Sequence, residues 1–221
     1  LSVILERGQI STVYQPIVSL KDGSVFAYEA LSRITLPSCS LNIESLLALA
    51  STERKLWELE KLCRTSALSH AARKPDTCKL FMNVDANVMY DPELKSGFVA
   101  EKLREYGIHS EDIVIEITER SAVLTMEAFE SSIDHYRAQA YKIAIDDFGS
   151  GYSGLNRVCR FSPDYLKLDM ELIRGIDKDP MKKTAVGSTI GFCKESGIRV
   201  IAEGIETEGE LKTLIRLGAD Y

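Results

Sequence analysis

Several short β-type segments of this chain end in residues that can bind a cation or move a proton: Glu29, Asn83, Glu116 with Glu119, Asp146 with Asp147, Lys167 with Asp169, and Glu203 with Glu206. An acid following a strand is ordinarily a helix cap or a solvated loop residue. That reading accounts poorly for Glu29, Asn83 and Glu116, which lie within the apolar runs rather than beyond them. Carboxylates gathered in one place repel by roughly 4 kcal/mol for two charges about 4 Å apart at an effective dielectric of about 20, so a cation belongs among them. The donors are oxygens, with no histidine or cysteine in the set, which favours hard cations such as Mg²⁺ or Mn²⁺ over zinc or iron. The doublet Asp146-Asp147 suits a carboxylate shared by two ions, as in two-metal phosphodiester hydrolysis. Lys167 would bring positive charge near an attacking water or a phosphate; the plainer alternative is an ion pair balancing Asp146 or Asp169.

The elements that must position these residues follow from periodicity. Two β-rich runs, 12–20 and 25–32, flank Lys21-Asp22-Gly23, and Asp-Gly between such runs predicts an antiparallel hairpin. Apolar residues then recur at helical spacing over 43–73. Beyond this, strands at 79–84, 112–118, 142–146, 164–168 and 199–202 alternate with helices opening at Asp91-Pro92, near 125, at Asp179-Pro180 and at the capping box Thr207-x-x-Glu210. Short apolar strands alternating with amphipathic helices predict a parallel α/β sheet. Seven strands fall one βα unit short of a TIM-like (βα)₈ barrel, with an open doubly wound sheet as the alternative. The barrel is preferred because it brings the polar strand ends to one face. The chain opens on Leu1 and stops where strand eight should begin, so it reads as one domain, 1–221, excerpted from a longer protein and truncated before the last βα unit.

Composition removes several function classes. With 27 Lys+Arg against 33 Asp+Glu the net charge is −6, and the basic residues form no stripe along which a polymeric nucleic acid could lie. No apolar run reaches the roughly 18 residues of a membrane span, so no membrane contact is expected of this segment. The five cysteines include no CxxC and the three histidines no HExxH, which argues for a reducing cytoplasm and against zinc. Gly149-Ser150-Gly151-Tyr152-Ser153-Gly154 imitates a dinucleotide-binding fingerprint. Asp146 and Asp147 would stand where the pyrophosphate must go, so the segment reads instead as a mobile loop beside the site.

Taken in order, Tyr14-Gln15-Pro16-Ile17-Val18, Glu29-Ala30-Leu31 with Arg33, Phe81-Met82-Asn83-Val84, Glu116-Ile117-Thr118-Glu119, Asp146-Asp147-Phe148-Gly149, Pro163-Asp164-Tyr165-Leu166-Lys167-Leu168-Asp169 and Ala202-Glu203-Gly204-Ile205-Glu206 resemble the EAL domain family, bacterial phosphodiesterases of cyclic di-GMP. The resemblance implies hydrolysis of cyclic di-GMP to linear pGpG by a water that two Mg²⁺ or Mn²⁺ ions activate, with Ca²⁺ inhibiting. Glu29, Asn83, Glu116 and Asp146 would hold one ion, and Asp146 with Asp147 the second. Lys167, Glu203 and Glu29 would be catalytic; Gln15, Leu31 and Arg33 would hold the dinucleotide, with Glu206 beside them, and Glu119 would anchor the mobile loop. The family's barrel also has an antiparallel first strand. Partners implied are cyclic di-GMP, a second copy of the chain in a homodimer, and an upstream sensory or diguanylate-cyclase-type domain. Val84-Asp85 stands where the family usually has Leu-Ser, and Ser150 and Gly154 replace commoner Thr and Ser; none of these is an implied ligand. Two competing readings are a cyclic di-GMP receptor that does not hydrolyse and a sugar-phosphate aldolase using Lys167 as a Schiff base, which leaves the carboxylates unexplained.

Overall fold

The hairpin forms where Asp22-Gly23 predicts it. Gly23 adopts φ 75°, and Asp22 Oδ1 accepts hydrogen bonds from the Ser24 backbone N at 3.1 Å and hydroxyl at 2.7 Å. A computed structural model of the chain describes residues 1–37, 39–90, 97–118, 126–150 and 155–221. A short helix α1 (Ser2–Arg7) leads into β1 (Ile10–Val18) and β2 (Val25–Ile34), which pair antiparallel with Gln15 opposite Glu29.

Helices α2 (Ile43–Thr52) and α3 (Leu56–Ala71) occupy the stretch 43–73 that periodicity assigns to helix, with a break between them. Thr52 turns its hydroxyl back onto the Ala48 carbonyl at 3.0 Å, and Arg54 enters the left-handed region at φ 57°, so the chain breaks between two amphipathic halves. Then follow β3 (Lys79–Val84), a 3₁₀ turn at Ala86–Tyr90, α4 (Phe98–Tyr106) and β4 (Ile113–Thr118). The helix start predicted at Asp91-Pro92 lies outside the described residues. Next come α5 (Met126–Arg137), β5 (Lys142–Phe148), α6 (Leu155–Phe161), β6 (Tyr165–Leu168) and α7 (Met170–Ile173). Finally α8 (Pro180–Glu195), capped by Asp179, leads to β7 (Arg199–Ala202), and α9 (Glu208–Leu217) opens with both halves of its capping box in place.

The strands follow chain order across one sheet, β1 to β7, antiparallel at the hairpin and parallel from β2 onward. Two contacts show that the sheet is curled rather than flat. In a flat sheet β2 and β6, four places apart, would be separated by roughly 19 Å at about 4.8 Å per strand; here Lys167 Nζ on β6 reaches Glu29 Oε2 on β2 at 3.2 Å. At the other end the Leu20 backbone N, just past β1, donates to the Asp220 carbonyl at 2.9 Å, while Asp220 and Tyr221 both donate to Val200 on β7 at 3.1 Å. The edges of the sheet therefore approach one another around a common interior, as in a TIM-type barrel, and the doubly wound alternative is excluded.

Alternation along the strands divides the apolar residues into two cores. Leu80, Met82, Ile113, Ile115, Ile143, Ile145, Leu166 and Val200 point outward beneath the helices. Ala27, Phe81, Val114, Ala144, Tyr165 and Ile201 point inward and fill the base of the barrel with Ile17, Phe26 and Tyr221. Phe26 stacks on Tyr221 with ring centroids 3.9 Å apart, and Phe81 meets Tyr165 edge-on at 5.2 Å. Among the described residues no helix is long and apolar enough to cross a membrane.

Candidate active site

Two residues along each strand from this apolar base, the inward positions become polar. Ala27 gives way to Glu29, Phe81 to Asn83, Val114 to Glu116, Ala144 to Asp146, Tyr165 to Lys167 and Ile201 to Glu203. They form a ring at the carboxyl ends of the parallel strands, the face on which barrel enzymes place their chemistry.

Lys167 is the hub. Its Nζ lies 2.7 Å from Glu116 Oε1, 2.8 Å from Glu203 Oε1, 3.1 Å from Asp146 Oδ1 and 3.2 Å from Glu29 Oε2. Lys167 is 1% exposed and Glu116 fully buried, so these charges act with little water between them. Burial alone would pull the Lys167 pKa down, but the carboxylates of Glu116, Asp146, Glu203 and Glu29 outweigh it and hold the ammonium charged well above its ordinary range. Burial pushes the Glu116 carboxyl well up against the pull of Lys167, with Glu29 and Asp146 adding to the push. It raises Glu203 to about 7, again against the pull of Lys167 and with Asp146 adding to the rise. One ammonium thus faces more carboxylate than it can neutralise, and a divalent cation would relieve the remainder.

Asn83 and Glu116 are direct partners in the β3–β4 ladder. The Asn83 Nδ2 donates to Glu29 Oε1 and Glu116 Oε2, both at 3.1 Å, which commits its amide hydrogens and leaves the carboxamide oxygen available as a ligand. Asp146 and Asp147 pose a geometric problem, because consecutive strand residues point to opposite faces. A register irregularity between Ile145 and Phe148, together with a left-handed Asp147 at φ 56°, resolves it. Oxygens of Asp146, Asp147 and Glu203 then lie within 4.8 Å of one another, a spacing that suits a metal ion. Glycine is required twice nearby: at Gly149 (φ 103°) a Cβ would strike the Leu172 side chain, and at Gly204 (φ 68°) the Met170 Cβ.

A cleft of about 680 Å³ opens from Glu29, Asn83, Asp146 and Asp147. Leu31 and Arg33 form one wall, Glu44, Ala48 and Ser51 of α2 another, and Glu60, Cys63 and Arg64 of α3 a third. Arg33 is exposed, its Nη1 donating to the Ser32 carbonyl at 2.9 Å. Gln15 is exposed opposite Glu29. Glu206 is not brought to the ring; it is exposed and paired with Arg174. Asp169, another acid after a strand, caps α7, its Oδ1 accepting from the Glu171 N at 2.7 Å. Glu119 and residues 151–154 of the glycine-rich loop lie outside the described residues.

Glu60 and Arg64 are the residues that periodicity hides. They fall on α3 among Leu59, Ala67 and Leu68 and are almost fully buried, 3% and 4% exposed. Their signal is a charged pair four residues apart on the face of a helix that otherwise buries apolar groups.

The EAL domain family profile matches residues 1–221. The chain is 29% identical to the probable cyclic di-GMP phosphodiesterase PdeI of Escherichia coli over 97% of its own length and 28% of that protein's. It is 26% identical to the cyclic di-GMP phosphodiesterase RocR of Pseudomonas aeruginosa over 97% of its length and 55% of the relative's. It therefore spans little more than half of one of these curated relatives and under a third of the other. Among solved structures it is similar to Klebsiella pneumoniae BlrP1 in calcium/cy-diGMP and manganese/cy-diGMP complexes, with a TM-score of 0.85 and 29% identity over 96% of this chain and 53% of that one.

Proposed function

This chain belongs to the EAL domain family, and from that premise we propose that it hydrolyses cyclic di-GMP to linear pGpG at the acid ring. The observation that carries the proposal is the convergence of Glu29, Glu116, Asp146 and Glu203 on Lys167, with Asp147 turned back beside them. The donor set fits divalent cations of the hard kind: carboxylate and carboxamide oxygens, largely buried, with negative charge in excess. Glu29, Asn83, Glu116 and Asp146 would hold one ion, and Asp146, Asp147 and Glu203 the second. Mg²⁺ or Mn²⁺ bound there supplies the Lewis acidity that lowers the pKa of a water and stabilises charge on phosphoryl oxygens.

The chain's own residues do the rest. Lys167, fixed among four acids and permanently charged, offers electrostatic stabilisation to an anionic phosphorus centre. That protonation state argues against its use as a Schiff-base nucleophile, which needs a free amine. Glu203, which burial lifts to about 7 against the pull of Lys167, would be drawn back to its carboxylate form by an ion held beside Asp146 and Asp147. Arg33 and Leu31 line the cleft and would meet a phosphate and the rest of a dinucleotide there, and Gln15, opposite Glu29 on β1, would join them; the cleft volume of about 680 Å³ falls in the ordinary range for small-molecule sites. Glu206 would act at the margin and Glu119 on the loop. The names of PdeI and RocR and the ligands of BlrP1 support this reading. A homodimer, an upstream sensory or diguanylate-cyclase-type domain, a cytoplasmic setting and a single domain over 1–221 belong to the same proposal.

The test is incubation with cyclic di-GMP and Mg²⁺ or Mn²⁺, product being followed by chromatography with Glu29→Ala as control. Metal-dependent pGpG that vanishes in the control is expected; binding without product would move the chain to the receptor reading. Ca²⁺, with longer bonds and looser geometry, is expected to inhibit, and turnover in Ca²⁺ equal to that in Mg²⁺ would refute the two-ion mechanism.

A further inference from the structure

Behind the ring, on the side of α3, sits a buried ion pair that the hydrolytic reading does not use. Glu60 Oε2 accepts from Arg64 Nε at 2.9 Å and lies 2.8 Å from Nη2, while Arg64 Nη2 also donates to the Tyr136 hydroxyl on α5 at 3.1 Å. The guanidinium lies 5.3 Å from the Trp57 ring centroid and 5.8 Å from that of Tyr136. Arg64 is thereby held from two helices, and it fixes the rotamer of Glu60. A buried pair of this kind is no more stabilising than apolar residues of the same size would be, so its placement is better explained by what it holds.

What it holds is the end of β3. The second Glu60 oxygen, Oε1, accepts from the Asp85 backbone N at 3.0 Å. Asp85 Oδ1 in turn accepts from the Asn87 backbone N at 2.9 Å and its Nδ2 at 2.6 Å. The backbone is therefore pinned immediately beyond Val84, two residues from Asn83. Asn83 needs such a restraint. The hydrogen bonds that orient its side chain are donated by its Nδ2 to Glu29 and Glu116, which are themselves proposed cation ligands, so its position cannot depend on them alone. Glu60 and Arg64 also line the cleft together with Asn83 and Asp146, which places the pair beside the site and not in a remote core.

We propose that Glu60, oriented by Arg64, is a positioning residue for the ring: its hydrogen bond to the Asp85 backbone sets where the Asn83 carboxamide oxygen meets a cation. This rests on the hydrolytic reading for its consequence in catalysis, though not for its geometry. Residues that orient ligands from behind typically change metal affinity or activity by about 10- to 100-fold when removed.

Two double variants isolate the Asp85 bond. Glu60→Leu with Arg64→Met removes the pair without leaving a lone buried charge; Glu60→Gln with Arg64→Met restores an oxygen that can accept from Asp85. The first is expected to weaken Mn²⁺ binding in calorimetry by about 10- to 100-fold, to lower kcat more than it raises KM, to speed hydrogen exchange at the Asp85 amide and to shift the Asn83 side-chain amide resonances. The second is expected to recover all four readouts. A structural role alone would lower thermal stability in both and leave the resonances and the Mn²⁺ affinity alike. Equal behaviour of the two variants overturns the proposal. If the Leu/Met variant does not fold, Glu60→Gln alone serves, because its amide oxygen turns to Arg64 and its NH₂ then faces the Asp85 N; unshifted Asn83 resonances in that variant also overturn it. If the wild type binds Mn²⁺ but cleaves no cyclic di-GMP, the hydrolytic reading falls while affinity, exchange and resonances still decide the role of Glu60; if it binds neither, exchange and resonances decide.

Discussion

The base and the mouth of the barrel are built by the same strands, two residues apart, and share almost nothing else. At the base Phe26, Phe81, Tyr165 and Tyr221 pack ring to ring, and the cation they meet, Arg199, stays at the rim, its Nη1 donating to the Tyr221 hydroxyl at 3.0 Å. At the mouth four carboxylates crowd one ammonium. The base is what a hydrophobic interior should be, and each fully buried aromatic there contributes roughly 1.5–3 kcal/mol. The mouth is what an interior should not be, since like charges out of water destabilise the fold unless something further compensates them. The difference shows that the strands were not selected for one property along their length: stability is drawn from the lower layer, and the upper layer spends part of it on a constellation useful for chemistry.

The sharpest way to break this contrast is one substitution in each layer. Asp146→Ala should lower turnover roughly a thousandfold, about 4 kcal/mol of barrel-mouth chemistry, while leaving the melting temperature close to that of the parent. Phe81→Ala, two positions below Asn83, should do the reverse. It should cost about 3–5 kcal/mol of stability in denaturant unfolding and leave activity per folded molecule unchanged. A loss of metal affinity in Phe81→Ala would mean that the layers are not separable.

A smaller effect should appear as a pH dependence of the mouth alone. The carboxyl of Glu203 is raised in the folded chain to about 7 from 4.5, so folding favours its protonated form; the stability this contributes is complete below about 4.5 and lost as pH rises through 7. With a chelator present, thermal stability should therefore fall across that window by about 2–3 kcal/mol at about 1.4 per unit, and Glu203→Gln should flatten the slope. A slope unchanged by that substitution would assign the titration elsewhere in the ring. The smallest effect on stability is expected for Asp147→Asn, since Asn tolerates the left-handed backbone as Asp does. Unfolding should shift by no more than about 0.5 kcal/mol while turnover falls and dinucleotide binding persists, and unchanged turnover would remove Asp147 from the mechanism.

Much of this division was legible in the sequence, and for a simple reason. Alternation assigns Phe81 and Asn83, or Val114 and Glu116, to the same face without any knowledge of the fold, and the strand limits 79–84 and 199–202 coincide with those observed. The Asp-Gly turn and the Thr207 capping box are local chemistry, readable for the same reason. What periodicity could not show is where regularity fails. The inward turn of Asp147 depends on a bulge and one positive φ, and the break at Arg54 opposes a helical pattern that continues on either side of it. Glu60 and Arg64 were hidden because a charge on a helix is normally a solvated one, and only tertiary packing with Trp57 and Tyr136 reveals otherwise.

The meeting of Leu20 with Asp220 at the base also has a consequence for how the molecule is made. These residues are about two hundred positions apart, whereas each parallel strand pairs with the one before it. Closing so long a loop carries an entropic cost that must be met before the contact returns anything. Successive strand and helix units can assemble locally while the two rims are still apart, so the stacking of Phe26 on Tyr221 is expected to form late. Substitutions in that seam should accordingly quicken unfolding and leave the refolding rate nearly untouched, making the seam the place where the lifetime of the folded chain, more than its speed of formation, is set.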